Sequence, residues 1–247
     1  MCGRDWSSDV CSSDLVETRF SGIQPVMPVT FVESCCAEIR LITGNRLNGH
    51  NGPTGLTGRE GLMDEKADFS PQKFAVVGAG PVGCIVAAFL ARQGHDVTLC
   101  DVIPKLIEPA LKTGIVIEGA ENLQQTVSRV TTSIDDLGAD PPDVIFITVK
   151  ANANALIASA IEGFHREGLF VVSWQNGIDT ERVFADALGD QCVMRAVVNY
   201  GCGLVAPGHV HMPFHHPPHH LQELDPQSAP AARAIADALT EIGRASC

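Results

Sequence analysis

Residues 78–83, with the sequence Gly-Ala-Gly-Pro-Val-Gly, constrain the fold of this chain more than any other stretch. An apolar run at residues 74–77 precedes them, and small and branched apolar residues recur at helical spacing over residues 82–93. This pattern predicts a buried strand, a glycine turn and a helix in direct succession. Because the first N–H groups of a helix lack partners and the helix dipole is positive at that end, such a turn is typical of a pyrophosphate site.

Each glycine of the predicted turn has a separate task. Gly78 allows the tight turn, Gly80 lets the backbone approach a pyrophosphate, and Gly83 lets the helix pack closely on the strand. A second predicted strand, at residues 97–100, leads into Asp101, where an acid that binds a ribose hydroxyl is expected. The sequence therefore predicts a dinucleotide site. The alternative is a glycine turn that serves packing alone.

The following residues alternate predicted strands with predicted helices. Apolar runs indicate a strand that is buried on both faces at residues 143–149 and another buried strand at residues 169–174, and a further strand is expected at residues 192–199. Helices are expected between them, at residues 151–164 and 180–189. This alternation predicts an α/β fold with a doubly wound parallel sheet of the Rossmann-like type.

The last part of the chain has a different character. Residues 209–212 alternate like an edge strand, and residues 226–240 predict an alanine-rich helix. Six of the nine histidines lie between His209 and His220, among prolines that predict an extended, solvated segment. Neutral imidazoles bind zinc or nickel, but no Cys or Glu stands at a recognised ligand spacing. We therefore expect adventitious metal binding there and no physiological metal site.

Both ends of the chain look foreign to the domain between them. Residues 5–15 and 241–247 resemble the conceptual translation of the two adaptors used in short-read DNA sequencing. We interpret both as assembly scars, and we expect residues 1–62 to be a non-native, disordered leader. The alternative for this leader is a genuine flexible arm. On the preferred interpretation the natural protein starts at Met63, and residues 63–240 form one dinucleotide-binding domain.

Charge and hydropathy argue against several kinds of partner. The chain has 17 Lys and Arg against 29 Asp and Glu, a net charge of -12, which disfavours nucleic acid and anionic membranes. Gly, Asp or Lys interrupt its short apolar runs, so no transmembrane segment is predicted. Nothing ahead of Met63 has the basic-then-apolar order of a signal peptide. We expect a cytoplasmic protein, and the sequence leaves its oligomeric state open.

Two polar residues follow the predicted central strands. Lys150 comes directly after the strand at residues 143–149, and Asn176 comes two residues after the strand at residues 169–174. In an open α/β sheet the ligand lies outside the carboxyl ends of the strands, so both side chains should face the cofactor. A lysine there can neutralise a carboxylate or bind a ribose, and an amide can orient a nicotinamide or the reacting oxygen. Each also has a purely structural interpretation, as a solvated helix-capping lysine and a turn-forming asparagine.

Five segments in this order resemble the amino-terminal domain of ketopantoate reductase, also called 2-dehydropantoate 2-reductase. They are residues 73–83, Thr148-Val149-Lys150-Ala151, Gln175-Asn176-Gly177, and Asn199-Tyr200-Gly201 with the later Pro207-Gly208-His209-Val210. The resemblance implies NADPH-dependent reduction of a small 2-oxo acid (2-dehydropantoate) to a 2-hydroxy acid (pantoate), on the way to pantothenate and coenzyme A. It also implies that Lys150 and Asn176 contact cofactor and substrate, with Lys150 as the candidate catalytic residue. The predicted cofactor-binding residues are Gly78, Ala79, Gly80, Pro81, Val82, Gly83, Asp101, Lys150 and Asn176.

Two features depart from the pattern of that family. NADPH-dependent members usually carry a basic residue where this chain has Asp101, and a carboxylate suits the free 2′-hydroxyl of NADH. Lys105 is close enough in sequence to leave NADPH open. The family's general-acid lysine and substrate-binding glutamate belong to a helical second domain, which would begin where this chain ends. Because hydride transfer leaves an alkoxide that needs a proton donor, we expect this chain to bind cofactor and to be inactive alone.

A non-catalytic dinucleotide-binding or sensing module is the main alternative function, because it needs the glycine turn but no proton donor. A short-chain dehydrogenase is excluded, since Tyr200 is the only tyrosine and Leu204 stands where that class needs a lysine. A flavoprotein would leave Lys150 and Asn176 unexplained.

Overall fold

The computed structural model describes residues 69–242 and 245–246, within which twelve strands and five α-helices form. The strands are β1 (Lys73–Val77), β2 (Asp96–Cys100), β3 (Ile115–Gly119), β4 (Leu123–Gln125), β5 (Arg129–Thr131), β6 (Val144–Ile147), β7 (Phe170–Ser173), β8 (Val193–Val197), β9 (Tyr200–Ala206), β10 (His209–His215), β11 (His219–Glu223) and β12 (Ala245–Ser246). The helices are α1 (Pro81–Arg92), α2 (Pro104–Lys112), α3 (Asn154–Glu162), α4 (Arg182–Leu188) and α5 (Ala229–Ala238).

The larger sheet has eight strands in the order β12-β11-β8-β7-β6-β1-β2-β5. From β5 to β8 every neighbouring pair is parallel. The chain winds from β1 to β2 and β5 on one side, then crosses to β6, β7 and β8 on the other. The predicted doubly wound parallel sheet is therefore confirmed, with its topological switch point between β1 and β6. Beyond β8 the sheet continues with β11, which runs antiparallel.

The central strands read as continuous apolar runs because both of their faces are buried. In β1, Phe74 and Val76 belong to one core cluster, whereas Ala75 and Val77 belong to the other. Helices α1 and α5 supply side chains to the first cluster, and α3 and α4 supply them to the second. Cover on both faces leaves the carboxyl ends of β1, β6 and β7 as a shared edge, where the candidate site lies.

Helix α1 is apolar on all sides because it lies between two sheets. Residues 84–90 of this helix are fully buried. The second sheet has four strands in the order β4-β3-β10-β9, and α1 contacts strands of both sheets. A helix without a polar face requires such cover on every side.

The prediction of an edge strand at residues 209–212 is wrong in one respect. The alternation itself is present, since Val210 and Met212 are buried while His211 is exposed. However, β10 lies inside the smaller sheet, parallel to β3 and antiparallel to β9. Alternating polarity shows that one face of a strand meets solvent, and it does not show which strands pair along its two sides.

Two interpretations concern the ends of the chain. The leader assigned to residues 1–62 lies outside the described residues. Within the segment 241–247, Ile242 is fully buried, and β12 pairs in parallel with β11. The foreign origin of both segments stays a prediction.

Candidate functional site

The turn between β1 and α1 requires glycine at its first position. Gly78 has a φ of +111°, and its N–H donates to the carbonyl of Cys100 at 2.8 Å. A Cβ atom at this position would lie 2.9 Å from both Thr148 Oγ1 and Val149 Cγ1. Any side chain here would therefore be strained in its backbone and would collide with the end of β6.

Gly83 lets α1 pack against the turn. A Cβ atom at Gly83 would lie 1.8 Å from the carbonyl oxygen of Gly78 and 2.6 Å from Thr148 Oγ1. The helix can therefore approach the turn this closely only when position 83 has no side chain. This is the close packing that the sequence pattern predicts for the third glycine.

Gly80 differs from the other two, because a Cβ atom there would meet no other atom within 4 Å. Gly80 is the N-cap of α1 and makes no side-chain cap, and the first turn of the helix contains no acidic residue. Pro81 and Val82 begin the helix and are half-buried. The start of α1 thus has open space in front of it, as an anion bound by the first N–H groups would need.

Asp101 supports the glycine turn directly. One carboxylate oxygen accepts from the N–H of Ala79 at 2.8 Å, and the other accepts from the N–H of Ile103 at 3.0 Å. Sequence reasoning gave this residue a ribose-binding role and missed its structural one. The side chain is half-buried, and each carboxylate oxygen has more than one lone pair, so both roles are compatible.

Thr148 is a site residue that the sequence did not single out as such. Its hydroxyl donates to the carbonyls of Val77 and Gly78, at 2.9 and 3.0 Å. It therefore ties the end of β6 to the glycine turn across the switch point. The sequence signal for this role was a hydroxyl side chain near the end of the predicted strand at residues 143–149.

Lys150 and Asn176 lie at the predicted edge of the sheet. Lys150 follows the end of β6 and precedes a short 3-10 helix, and Asn176 lies in the loop that follows β7. Both are exposed, and within the described residues neither side chain makes a hydrogen bond or an ion pair. They are therefore available to a ligand, and a role for either stays a prediction.

The loop that carries Asn176 is held by an ion pair that the sequence did not predict. Arg195, on β8, donates to Glu181 Oε2 at 2.6 Å and to the carbonyl of Gly177 at 2.5 Å. The side chain of Glu181 is only 8% exposed, so the arginine supplies the charge that a buried carboxylate requires. Glu181 comes just before α4, and it is this pairing that fixes it in place.

The prediction that the segment from His209 to His220 is extended and solvated is wrong for two of its histidines. His219 is 1% exposed, and it packs against Trp174 and Tyr200. The side chain of His215 is 8% exposed and lies 3.2 Å from Glu121 Oε1. Pro213 lies within β10, and Pro217 and Pro218 form a short link between β10 and β11. His215 and His219, which flank this link at the ends of the two strands, face inward, whereas His216 and His220 are exposed. The described residues contain no group of three or more His, Cys, Asp or Glu side chains that could hold a metal ion.

We expect the buried His219 to make stability depend on pH. Its Nδ1 accepts from the N–H of Asn199 at 3.0 Å, so an added proton there would oppose a donor. Burial lowers the pKa of His219 below its ordinary value of 6.5, against the Ile242 carbonyl, which favours the charged form. As pH falls, the unfolded chain therefore binds the proton before the folded chain does. Stability that is fully present above pH 6.5 is lost as pH falls from there through the lowered pKa of the folded state.

Urea unfolding midpoints measured from about pH 7.5 down to about pH 5.5 check this expectation. In His219→Asn the amide oxygen can still accept from Asn199, so the decline should be shallower than in the unmodified chain. His211→Asn, at an exposed position on β10, is the matched control and should keep the original slope. An equal decline in all three proteins would contradict the assignment to His219.

The comparison with known families agrees with this architecture. The model of the ketopantoate reductase PanE/ApbA family matches residues 74–224, more than half of the chain. The chain belongs to this family. Family members are NAD(P)-dependent oxidoreductases that act on small 2-oxo acids. Among the residues that the structure describes, no helix combines the length and the apolarity needed to cross a bilayer.

The match to individual relatives extends over only part of each relative's length. A 2-dehydropantoate 2-reductase from Pyrococcus horikoshii is 36% identical over 136 residues, which are 55% of this chain and 42% of the relative. The crystal structure of a PanE/ApbA family ketopantoate reductase from Ralstonia eutropha has 28% identity and a TM-score of 0.56, covering 70% of this chain and 55% of that one. This member of the ketopantoate reductase family therefore spans about half the length of the relatives it matches.

D-mandelate dehydrogenase in ternary complex with NADH and anilino(oxo)acetate has the same fold. Its TM-score is 0.63 at 22% identity, over 71% of this chain and 56% of that one. This likeness extends the shared architecture of the ketopantoate reductase family beyond close sequence relatives.

Proposed function

We propose that this domain binds a nicotinamide dinucleotide for the reduction of 2-dehydropantoate, a 2-oxo acid, to pantoate, a 2-hydroxy acid, by the full gene product. The open space at Gly80 carries the proposal, because it lies at the start of α1 and at the switch point of the sheet. Gly78 and Gly83 hold the turn in a form that only glycine permits.

The proposed roles follow from the positions of the residues. The pyrophosphate binds in front of Gly80, on the N–H groups of Val82 and Gly83. Lys150 neutralises the substrate carboxylate or the developing alkoxide, and the amide of Asn176 orients the nicotinamide or the reacting oxygen. The bound reduced nicotinamide supplies the hydride.

We propose NADH as the preferred cofactor. A 2′-phosphate at the end of β2 would meet the carboxylate of Asp101, whereas a free 2′-hydroxyl can donate to it. Lys105 is exposed on α2 and is the nearest positive side chain in sequence on which NADPH binding could depend. The support for NADH is therefore the charge at one position, and the family's general use of NADPH argues the other way.

Titration of the purified chain with each dinucleotide, followed by nicotinamide fluorescence, tests both proposals. We expect saturable binding, with a lower Kd for NADH than for NADPH. Asp101→Asn removes the negative charge and retains one acceptor for the turn. The Kd for NADPH divided by the Kd for NADH should therefore fall by roughly tenfold. Lys105→Ala is the companion variant and should weaken NADPH binding only. Failure of the unmodified chain to bind either dinucleotide would overturn the proposed function.

The same protein should not oxidise NADH when 2-dehydropantoate is added, because Lys150 alone does not replace a positioned general acid. Absorbance at the nicotinamide band measures this directly. Turnover by the full gene product distinguishes the reductase from a non-catalytic dinucleotide-sensing module, the alternative function. Turnover by this chain itself would assign the proton donor to its own residues, with Lys150 as the first candidate.

A further inference from the structure

Two buried amides face each other beneath the edge of the sheet. Asn154 Nδ2 donates to Gln175 Oε1 at 3.1 Å, and Gln175 Nε2 donates to Asn154 Oδ1 at 2.8 Å. The residues are 1% and 8% exposed, respectively. Asn154 begins α3 and Gln175 lies just after β7, so this reciprocal pair joins two elements that are separate in sequence. We call it the amide clasp.

Each amide of the clasp also binds the backbone of the opposite loop. Gln175 Nε2 donates to the carbonyl of Val149 at 2.6 Å, in the peptide unit that leads into Lys150. Asn154 Nδ2 donates to the carbonyl of Thr180 at 3.0 Å, at the far end of the loop that contains Asn176. The clasp therefore holds the two loops that carry Lys150 and Asn176. The side chain from each loop's neighbour makes the bond: Gln175 binds the loop of Lys150, and Asn154 binds the loop of Asn176.

The orientation of both amides is determined by these bonds. Each NH₂ group has two donors, and both are used, while Gln175 Oε1 also accepts from the hydroxyl of Ser173 at 3.2 Å. Rotation of either amide by half a turn would place like groups opposite each other. A second bond between the hydroxyls of Ser173 and Thr180, at 2.9 Å, closes the network. A fully satisfied buried network of this kind specifies one arrangement of its surroundings.

Packing alone does not require these polar groups. Helix α3 already places Ile157, Ala158 and Ile161 in the apolar cluster on that face of the sheet. Burying two amides costs desolvation that apolar side chains of similar size would avoid. The network satisfies every amide donor of Asn154 and Gln175. In addition to any stability, it fixes the distance between the loop of Lys150 and the loop of Asn176.

We propose that Asn154 and Gln175 are positioning residues, which hold the backbone at Lys150 and at Asn176 in register so that both side chains reach one ligand. This inference rests on the proposed function, because it concerns the same dinucleotide site. The loop of Asn176 has a second support in the bond from Arg195 to the carbonyl of Gly177. Loss of the clasp should therefore disturb the backbone at Lys150 more than the backbone at Asn176.

The test uses Gln175→Met, which keeps the side-chain length and removes the amide. We expect the Kd for NADH to rise about tenfold, since the fixed geometry at Lys150 is lost. Hydrogen exchange without ligand should become faster at residues 149–153 than in the unmodified chain. Ile161→Val and Ile161→Ala, which shorten a buried side chain on α3, are the controls. Because the first should cost little stability and the second more, the two bracket the loss of thermal stability expected of Gln175→Met. A control with the same thermal midpoint as Gln175→Met should bind NADH within about twofold of the unmodified chain.

A double-mutant cycle separates positioning from general destabilisation. If the clasp acts through Lys150, then Gln175→Met should weaken binding little further when Lys150→Ala is already present. Fully additive losses in the double variant would overturn the inference, and so would unchanged affinity in Gln175→Met. Gln175→Glu, which opposes an oxygen to the carbonyl of Val149, should be worse than Gln175→Met. Absence of binding by the unmodified chain would instead overturn the proposed function, and hydrogen exchange at residues 149–153 would still decide whether the clasp fixes that loop.

Discussion

Gly83→Ala is expected to unfold more easily than the unmodified chain by at least about 3 kcal/mol. The new methyl group would lie 1.8 Å from the carbonyl oxygen of Gly78, about half the distance of an ordinary contact. That carbonyl cannot turn away freely, because it also accepts a hydrogen bond from Thr148. Either α1 must move off the sheet or the turn must be rebuilt, and α1 is buried between two sheets.

The loss is large relative to the total stability of a domain, which is about 5–15 kcal/mol. Urea unfolding followed by circular dichroism measures it as a lower midpoint with an unchanged slope. Gly80→Ala is the matched control three residues earlier in the chain. Its methyl group would meet no atom within 4 Å, so its midpoint should stay close to that of the unmodified chain. Equal midpoints for the two variants would show that α1 does not pack on the turn as described.

The sequence predicted the part of the fold that local patterns encode. The apolar run of β1, the glycine turn and α1 are adjacent in the chain, so one stretch of residues specifies all three and their contact. The same holds for the positions of Lys150 and Asn176, since each follows a strand that is recognisable by itself. Once the strands are known to be parallel, their carboxyl ends must meet at one edge.

The sequence did not reveal features that depend on distant pairing. Strand β10 pairs with β3, and Val210 lies opposite Ile117, more than ninety positions earlier in the chain. Alternation along a strand carries no information about such a partner, which is why β10 was expected at an edge. The burial of His219 has the same cause, because its cover comes from Trp174 and Tyr200 on other elements.

Asp101 shows a third limit of sequence reasoning. Its place at the end of the second strand predicted a ligand role, and the carboxylate also supports the turn through the N–H of Ala79. A side chain with several acceptor sites can serve the fold and a ligand together, and spacing alone cannot separate the two. The amide clasp was missed for a related reason, since Asn154 and Gln175 become partners only when α3 and β7 are in place.

Gly80→Val is expected to abolish measurable dinucleotide binding while leaving the domain folded. The backbone at Gly80 is extended, with φ -70° and ψ -179°, which valine adopts without strain. Its side chain would enter the open space at the start of α1, where the proposed pyrophosphate approaches the backbone. Because the phosphates must contact main-chain N–H groups directly, a loss of at least roughly 100-fold in affinity, about 2.8 kcal/mol, should follow. Fluorescence titration with NADH measures it.

Gly203→Val provides the control for this change, because a Cβ atom at Gly203 also meets no atom within 4 Å. Gly203 lies on β9 in the smaller sheet, away from the switch point, so its variant should bind NADH as the unmodified chain does. Urea midpoints near that of the unmodified chain in both variants would exclude unfolding as the cause of lost binding. If Gly80→Val bound NADH with unchanged affinity, the space in front of α1 would not be the pyrophosphate site. The glycines would then serve the turn alone, through the positive φ of Gly78 and the close packing of α1 at Gly83.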